Sequence, residues 1–288
     1  MKELIINADD FGLCEGSNRA ILSAYREGIL TSASLMVGGA ALEQAVSIAG
    51  QNKGLQVGLH LTLVQGHSVL PPEEIPGLVD AEGNFTTNPV KAGMRYFFEK
   101  SLRDQLRREI EAQILGFLET GIPLSHVDGH LNIHMHPVVF DILQQLMPKY
   151  GITSFRLTRE NLWPNLAIDR GRLTGKMLDG FIFSSLARRC SPCLDKLGIS
   201  YAAEVKGLLN SGRMTEEYLS GALDSLVDGT TEIYFHPGCY PCGVLRELMP
   251  EYLHERELEA LTSPRIRDKL KLLGIGLRNY RGECKAYV

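Results

Sequence analysis

The chain carries no excess of positive charge. Thirty Lys and Arg stand against 34 Asp and Glu, for a net charge of −4, so the basic footprint of a nucleic-acid binder is missing. No apolar run approaches the roughly 20 residues a membrane-spanning helix needs. No basic-then-apolar leader precedes the first apolar segment, and the expectation is a soluble cytoplasmic protein, with peripheral membrane contact left open. Internal repeats, low-complexity tracts and linkers are also absent. Cysteine is sparse: Cys190 and Cys193 form one C-x-x-C pair and Cys239 and Cys242 another. Their separation is longer than in a zinc ribbon. They read as reduced thiols in a cytosolic protein, with a structural zinc or a redox pair as the alternatives.

What is present is alternation. Apolar or β-branched runs alternate with longer amphipathic stretches along all 288 residues, the pattern of a parallel sheet. Strands are predicted near 4–6, 29–37, 55–63, 125–129, 152–157, 200–205 and 231–235. Helices are predicted near 17–27 (capped by Ser17 or Asn18), 40–49, within 97–120, 138–147, 175–189, 215–227 and 246–273, the last broken at Pro264. A short extended piece follows near 276–280. The number of units predicts a single (β/α)-barrel-like α/β domain over 1–288. Residues 64–90, rich in Gly and Pro, are long for a connection and read as a wall of the substrate groove.

Polar residues collect where strands end: Asp9, Asp10, His60, His130, Arg156 and His236. In a barrel those ends build the active site. Asn7-Ala8-Asp9-Asp10-Phe11-Gly12 puts adjacent carboxylates at the tip of the first strand, where burial is costly unless a positive charge joins them. Consecutive strand residues point to opposite faces, so Asp9 and Asp10 share a pocket only if the backbone turns there. The run from His126 to His136, with Asp128, His130 and His134, adds imidazoles and another carboxylate. Such donors suit one divalent ion, and Asp10, His60 and His130 are the ligand set read from them, with a position left for water. Asp128, His134 and Arg156 would orient these groups or touch substrate. Arg156 could orient Asp9 or a sugar oxygen, or form a surface ion pair instead. His126, early in its strand, is expected to hydrogen-bond inside the barrel. Asp10-Phe11-Gly12 is not a kinase signature, because no Gly-rich phosphate loop precedes it and no H-R-D-type loop follows.

Together, Asn7 to Gly12, Gly58-Leu59-His60, His126-Val127-Asp128-Gly129-His130 with His134, and His236-Pro237 resemble the YdjC-like carbohydrate deacetylases, distant relatives of the polysaccharide deacetylases. The resemblance spans the chain in order. It implies a barrel-like fold, a divalent metal and hydrolysis of an N-acetyl amide on a sugar. It places Asp10, His60 and His130 as metal ligands, Asp9 as general base and His236 as general acid. Family practice assigns magnesium, whereas two imidazoles are chemically better suited to zinc or a similar ion. Gly66 to Pro72 and Leu78 to Phe85 are similar to the hopanoid-biosynthesis-associated branch, which implies an N-acetylglucosaminyl hopanoid lipid as substrate. One departure stands out: Asn132 occupies a position where many members have histidine.

The alternatives are a chitooligosaccharide-type deacetylase of carbohydrate catabolism, a metal-dependent phosphohydrolase and a non-catalytic sugar- or lipid-binding protein. The phosphohydrolase would need an Arg or Lys clamp on phosphate, and only Arg156 stands near the strand tips. A homodimer is compatible with the sequence.

Overall fold

A computed structural model describes residues 1–285. Its organising element is β1 (Lys2–Phe11), whose apolar start, Leu4-Ile5-Ile6, is buried on both faces. β1 is followed by α1 (Glu15–Glu27), β2 (Ser32–Leu35), α2 (Leu42–Gln51) and β3 (Gln56–Leu61). After a long loop come α3 (Pro89–Phe98), a short 3-10 turn, α4 (Arg103–Glu119) and β4 (Leu124–Gly129). A 3-10 segment, His130–Met135, leads into α5 (Pro137–Lys149), α6 (Leu162–Ile168) and α7 (Leu173–Leu197). β5 (Glu204–Lys206), α8 (Glu216–Asp224) and β6 (Gly229–Phe235) precede α9 (Gly243–Leu248), α10 (His254–Thr262), α11 (Pro264–Leu272) and β7 (Gly276–Leu277).

The strands form one sheet in the order β4-β3-β2-β1-β6-β5, with β7 paired to the start of β1, and every pairing is parallel. Parallel strands need crossovers, and the helices supply them. The sheet curves into a half-barrel, so the expected barrel-like α/β class is borne out. The main hydrophobic core fills the space between sheet and helices, from Leu4 and Ile6 to Phe117, Phe140, Leu219 and Leu270.

Two expectations differ from the structure. Residues 152–157 do not form a regular strand. They make isolated parallel bridges, Val127 to Phe155 on β4 and Ser154 to Ser200 in the segment before β5. Single bridges suffice there because the segment is short and Arg156 turns inward to a charged cluster. The first helix begins at Glu15, before Ser17 and Asn18. Those side chains serve the preceding turn instead: Ser17 Oγ donates to the Asp10 carbonyl at 3.0 Å, and Asn18 Oδ1 accepts from the Gly12 amide at 2.7 Å.

Candidate active site

The sheet brings the polar strand ends to one place. β1 supplies Asn7, Asp9 and Asp10, β3 His60, β4 Asp128 with His130 just beyond, and β6 is followed at once by His236. The backbone turn that two neighbouring carboxylates require lies at Asp10 itself, whose φ is +63°; Gly12 follows at +90°. Aspartate tolerates this left-handed conformation better than most residues. The pair Ser17 and Asn18 clamps the turn from α1. Gly58 is needed for a different reason: a Cβ there would lie 2.4 Å from the His126 ring.

Asp10, His60 and His130 converge. Each offers a donor atom within 4.8 Å of the others, and all three side chains are buried. His130 Nδ1 is 2.9 Å and His60 Nε2 3.4 Å from Asp10 Oδ1. Among the described residues, Asp10 Oδ2, His60 Nε2 and His130 Nε2 have no hydrogen-bond partner. Unpartnered buried polar atoms are expensive, and one on each residue of this cluster is compatible with a cation held there. His60 is oriented from behind, with Nδ1 2.8 Å from Asp128 Oδ1; a carboxylate so placed fixes the tautomer and raises the basicity of a ligand imidazole. Burial pulls the His60 pKa down, but the carboxylates of Asp128, Asp9 and Asp10 outweigh it and hold it up at about 10. Asp9, His60 and Asp128 form a second geometric cluster. That cluster already contains a cation, the Arg156 guanidinium, so the first group is the better fit for an ion.

Arg156 is buried and engaged through all three of its nitrogens. It donates two bonds to Asp9, at 2.8 and 2.7 Å, and one to Glu232 at 2.7 Å, lies 2.8 Å from Asp128, and stacks over the Tyr234 ring at 4.4 Å. It orients Asp9 and is not a surface ion pair. Asn7 Nδ2 bridges Asp9 Oδ1 (2.9 Å) and Ser34 Oγ (2.8 Å), and Ser34 Oγ donates to Asp128 Oδ2 at 2.6 Å. His126 meets Ser34 Oγ at 3.1 Å and stacks on Tyr280, with ring centroids 3.7 Å apart. His134 braces the Arg156 carbonyl through Nε2 at 2.9 Å, and burial holds its pKa down at about 4.

His236 stands opposite this network, its Nε2 3.9 Å from Asp9 Oδ2. Burial lowers its pKa to about 4 despite the nearby Asp10 and Asp9, so the imidazole is neutral at pH 7. Its backbone is pinned: the amide donates to Glu257 at 2.5 Å and the carbonyl meets His254 Nδ1 at 2.7 Å. Asp9 and His236 line a cavity of about 830 Å³ together with Asn132, Tyr234 and Tyr252. The remaining wall is mostly apolar, from α3 and α7. The 64–90 loop reaches this cavity only through Val64, Pro89 and Val90 at its ends. Residues 65–67, 76–80 and 84–87 border another cavity of about 960 Å³ near Gly38, Gly39 and Thr62, while Ile75, Leu78 and Phe85 are core.

Sequence reasoning missed Asn7, Ser34, Glu232, Glu257 and Tyr280. Glu232 had a signal, a carboxylate amid the apolar residues of a central strand. The four free cysteines of the two C-x-x-C pairs are split between α7 and the loop before α9, and no metal-type cluster among the described residues includes them.

The family model for "YdjC-like protein" matches residues 3–272. A carbohydrate deacetylase of Brevibacillus brevis is 37% identical over 150 residues, covering 52% of this chain and 57% of that protein. Another, of Thermoanaerobacter pseudethanolicus, is 32% identical over 239 residues, covering 82% of this chain and 81% of its own length. The crystal structure of a candidate cellobiose-phosphate cleavage protein from Enterococcus faecalis V583 superposes over 99% of both chains, with a TM-score of 0.77 and 25% identity. With the family model matched over residues 3–272 and a relative 32% identical over 82% of its length, this chain belongs to the YdjC-like protein family.

Proposed function

We propose that the chain, read as one domain over 1–288, is a metal-dependent hydrolase that removes an acetyl group from an N-acetylated sugar. Relatives described as carbohydrate deacetylases support an amide hydrolase. The observation that carries the reading further is the trio of orphaned atoms on Asp10, His60 and His130, beside a fixed carboxylate and a neutral imidazole.

In this reading Asp10, His60 and His130 hold one divalent ion, and one carboxylate with two imidazoles favours zinc or a similar ion over magnesium. When bound, the ion supplies Lewis-acid polarisation and a more acidic water. Asp9 is the general base. Arg156 and Asn7 fix its carboxylate, which accepts a proton as water attacks the acetyl carbon. His236 serves the leaving amine, which departs readily only when protonated. Burial keeps its imidazole neutral, so it must gain a proton before it can give one, and Asp9, whose Oδ2 lies 3.9 Å from its Nε2, is the neighbouring group that takes a proton from water in this reading. Asp128 and His134 act through the groups they brace. The products are acetate and a free amino sugar.

Within this reading the substrate is a glycolipid, the N-acetylglucosaminyl hopanoid of the branch that the 64–90 region resembles. Support comes from the apolar α3 and α7 wall of the cavity over Asp9 and His236. Cleavage of a sugar phosphate, the description of the Enterococcus relative, would need a phosphate clamp; Arg156 is engaged by Asp9, Asp128 and Glu232, which leaves Arg172 on the cavity wall as the guanidinium that could supply one.

The test is acetate release by metal-reconstituted protein from N-acetylglucosamine, chitooligosaccharides and an N-acetylglucosaminyl hopanoid, with and without chelator. Chelator-sensitive release is expected, highest on the glycolipid. Asp9→Asn should lower turnover by about 10²–10⁴-fold, the usual weight of general acid–base catalysis, with metal binding retained. Turnover unchanged in Asp9→Asn removes Asp9 from the mechanism, and no release from any substrate at full metal occupancy rejects the deacetylase reading.

A further inference from the structure

α3 and the first half of α7 present the wrong face to water. In α3 the buried residues are Ala92 and Tyr96, while Val90, Met94, Phe97 and Phe98 are exposed. In the first half of α7 the buried positions are Lys176 and Gly180, and the exposed ones are Leu173, Met177, Leu178, Phe181 and Ile182. Phe98 is 66% and Phe181 70% accessible. A surface helix of a globular protein normally turns its apolar stripe inward, so two adjacent helices doing the reverse mark an interaction surface. They are adjacent because residues of both line the single cavity over Asp9 and His236.

We propose that this face docks on an anionic phospholipid bilayer, with the mouth of the cavity turned toward the lipid. The charge around it selects that occupant. Lys91 lies on α3, Lys100 and Arg103 just beyond it, and Arg170 and Arg172 just before α7, all exposed. None of the five forms an ion pair among the described residues, whereas nearby Glu99, Asp104 and Asp169 are already taken by Arg95, Arg108 and Lys176. Arg172 also faces Asp179 of α7, and the other four cations, without an ion pair among the described residues, flank the exposed apolar face as in helices that lie in the interface of anionic membranes. A second copy of the chain fits less well, since a two-fold contact sets a patch against itself and would oppose these cations. No helix of the described chain is long and apolar enough to cross a membrane, so the contact is peripheral. The inference rests on this surface and stands apart from the identity of the substrate.

The test is sedimentation of the purified full chain with vesicles, in the absence of any sugar. Vesicles of phosphatidylglycerol and phosphatidylethanolamine are compared with vesicles of phosphatidylcholine alone. The protein should pellet with the anionic vesicles and less with the neutral ones. L178S/F181S, on a part of α7 outside the cavity lining, should lower the partition coefficient about tenfold or more, a loss of roughly one exposed aromatic anchor. Its circular dichroism and its acetate release from a soluble N-acetylated sugar should match the parent. Lys91→Glu should weaken binding to anionic vesicles and leave neutral ones unaffected. A protein that stays in the supernatant with both vesicle types overturns the proposal. So does an L178S/F181S variant that binds as well as the parent, or light scattering that shows a dimer dissociated by those substitutions. A deacetylase without vesicle binding would fail this inference alone, and vesicle binding without acetate release would fail only the catalytic reading.

Discussion

Asp128 shows how much of the site depends on residues that never face the cavity. One oxygen meets His60 Nδ1 at 2.8 Å, and the other takes the Ser34 hydroxyl at 2.6 Å and lies 2.8 Å from Arg156. Burial alone would raise its pKa, but Arg156 and His60 hold it well below the usual carboxylate range, so it stays ionised and can orient the imidazole. Asp128→Asn keeps the shape and removes the charge. Metal affinity should fall by about 10–100-fold, the usual effect of losing such a partner, while Asp10, His60 and His130 remain in place. Competition against a chromogenic chelator measures this, and an affinity equal to the parent's would mean that Asp128 only balances Arg156. The adjacency of Asp9 and Asp10, and the density of His and Asp between His126 and His136, were legible in the sequence because local spacing carries them. The bracing of Asp9 by Arg156 was readable only as one alternative among three, since the two lie 147 positions apart and only the folded sheet joins them.

At the scale of elements, the strand ends were readable and the strand between them was not. Residues 152–157 have a strand's composition, yet they form only isolated bridges, because apolar runs report burial and not hydrogen-bond continuity. The late helices were placed by their break at Pro264, but not the task of α10. That helix carries Glu257, which accepts from the amides of His236 and Met214 and so ties the His236 loop to the helix. Burial raises the Glu257 pKa from 4.5 to about 7. Between those values the folded state keeps a proton that the unfolded chain has lost. Its contribution is therefore fully present below about pH 4.5 and is lost as pH rises through about 7. Glu257→Gln cannot titrate, so this part of the pH slope should vanish. The variant should gain up to about 3 kcal/mol relative to the parent across that window, at about 1.4 kcal/mol per pKa unit. Urea unfolding at pH 4.5, 6 and 7.5 tests it, and parallel pH profiles for the two proteins would show that another group is responsible.

The whole molecule is built to keep charge inside. Asp9, Asp128 and Glu232 are all buried around one arginine, with Asp10 buried beside His60 and His130, and carboxylates so placed are tolerated only where cations and hydrogen bonds answer them. The parallel sheet makes this possible, because it converges the C-terminal ends of β1, β3, β4 and β6 on one spot while the core beneath stays apolar. Arg156 answers Asp9, Asp128 and Glu232, but Asp10 Oδ2 has no partner. In the proposed reading a divalent ion is the missing counter-charge, and it binds only where the fold has assembled its ligands. Such an ion stabilises the native state by mass action, by about 2.7 kcal/mol at a free concentration 100 times its dissociation constant. For a chain of this size each kcal/mol moves the melting temperature by about 2–4 °C, so saturating metal should raise it by roughly 5–10 °C and chelator should reverse the gain. Asp10→Asn should abolish the response, whereas Asp9→Asn should keep it, because Asp9 is held by Arg156 and serves the proton instead. Differential scanning calorimetry of the three proteins with zinc, magnesium and chelator separates these roles. A parent protein whose melting temperature ignores every ion would show that the half-barrel balances its charge without metal, and would return the orphaned atoms of Asp10, His60 and His130 to a purely protonic account.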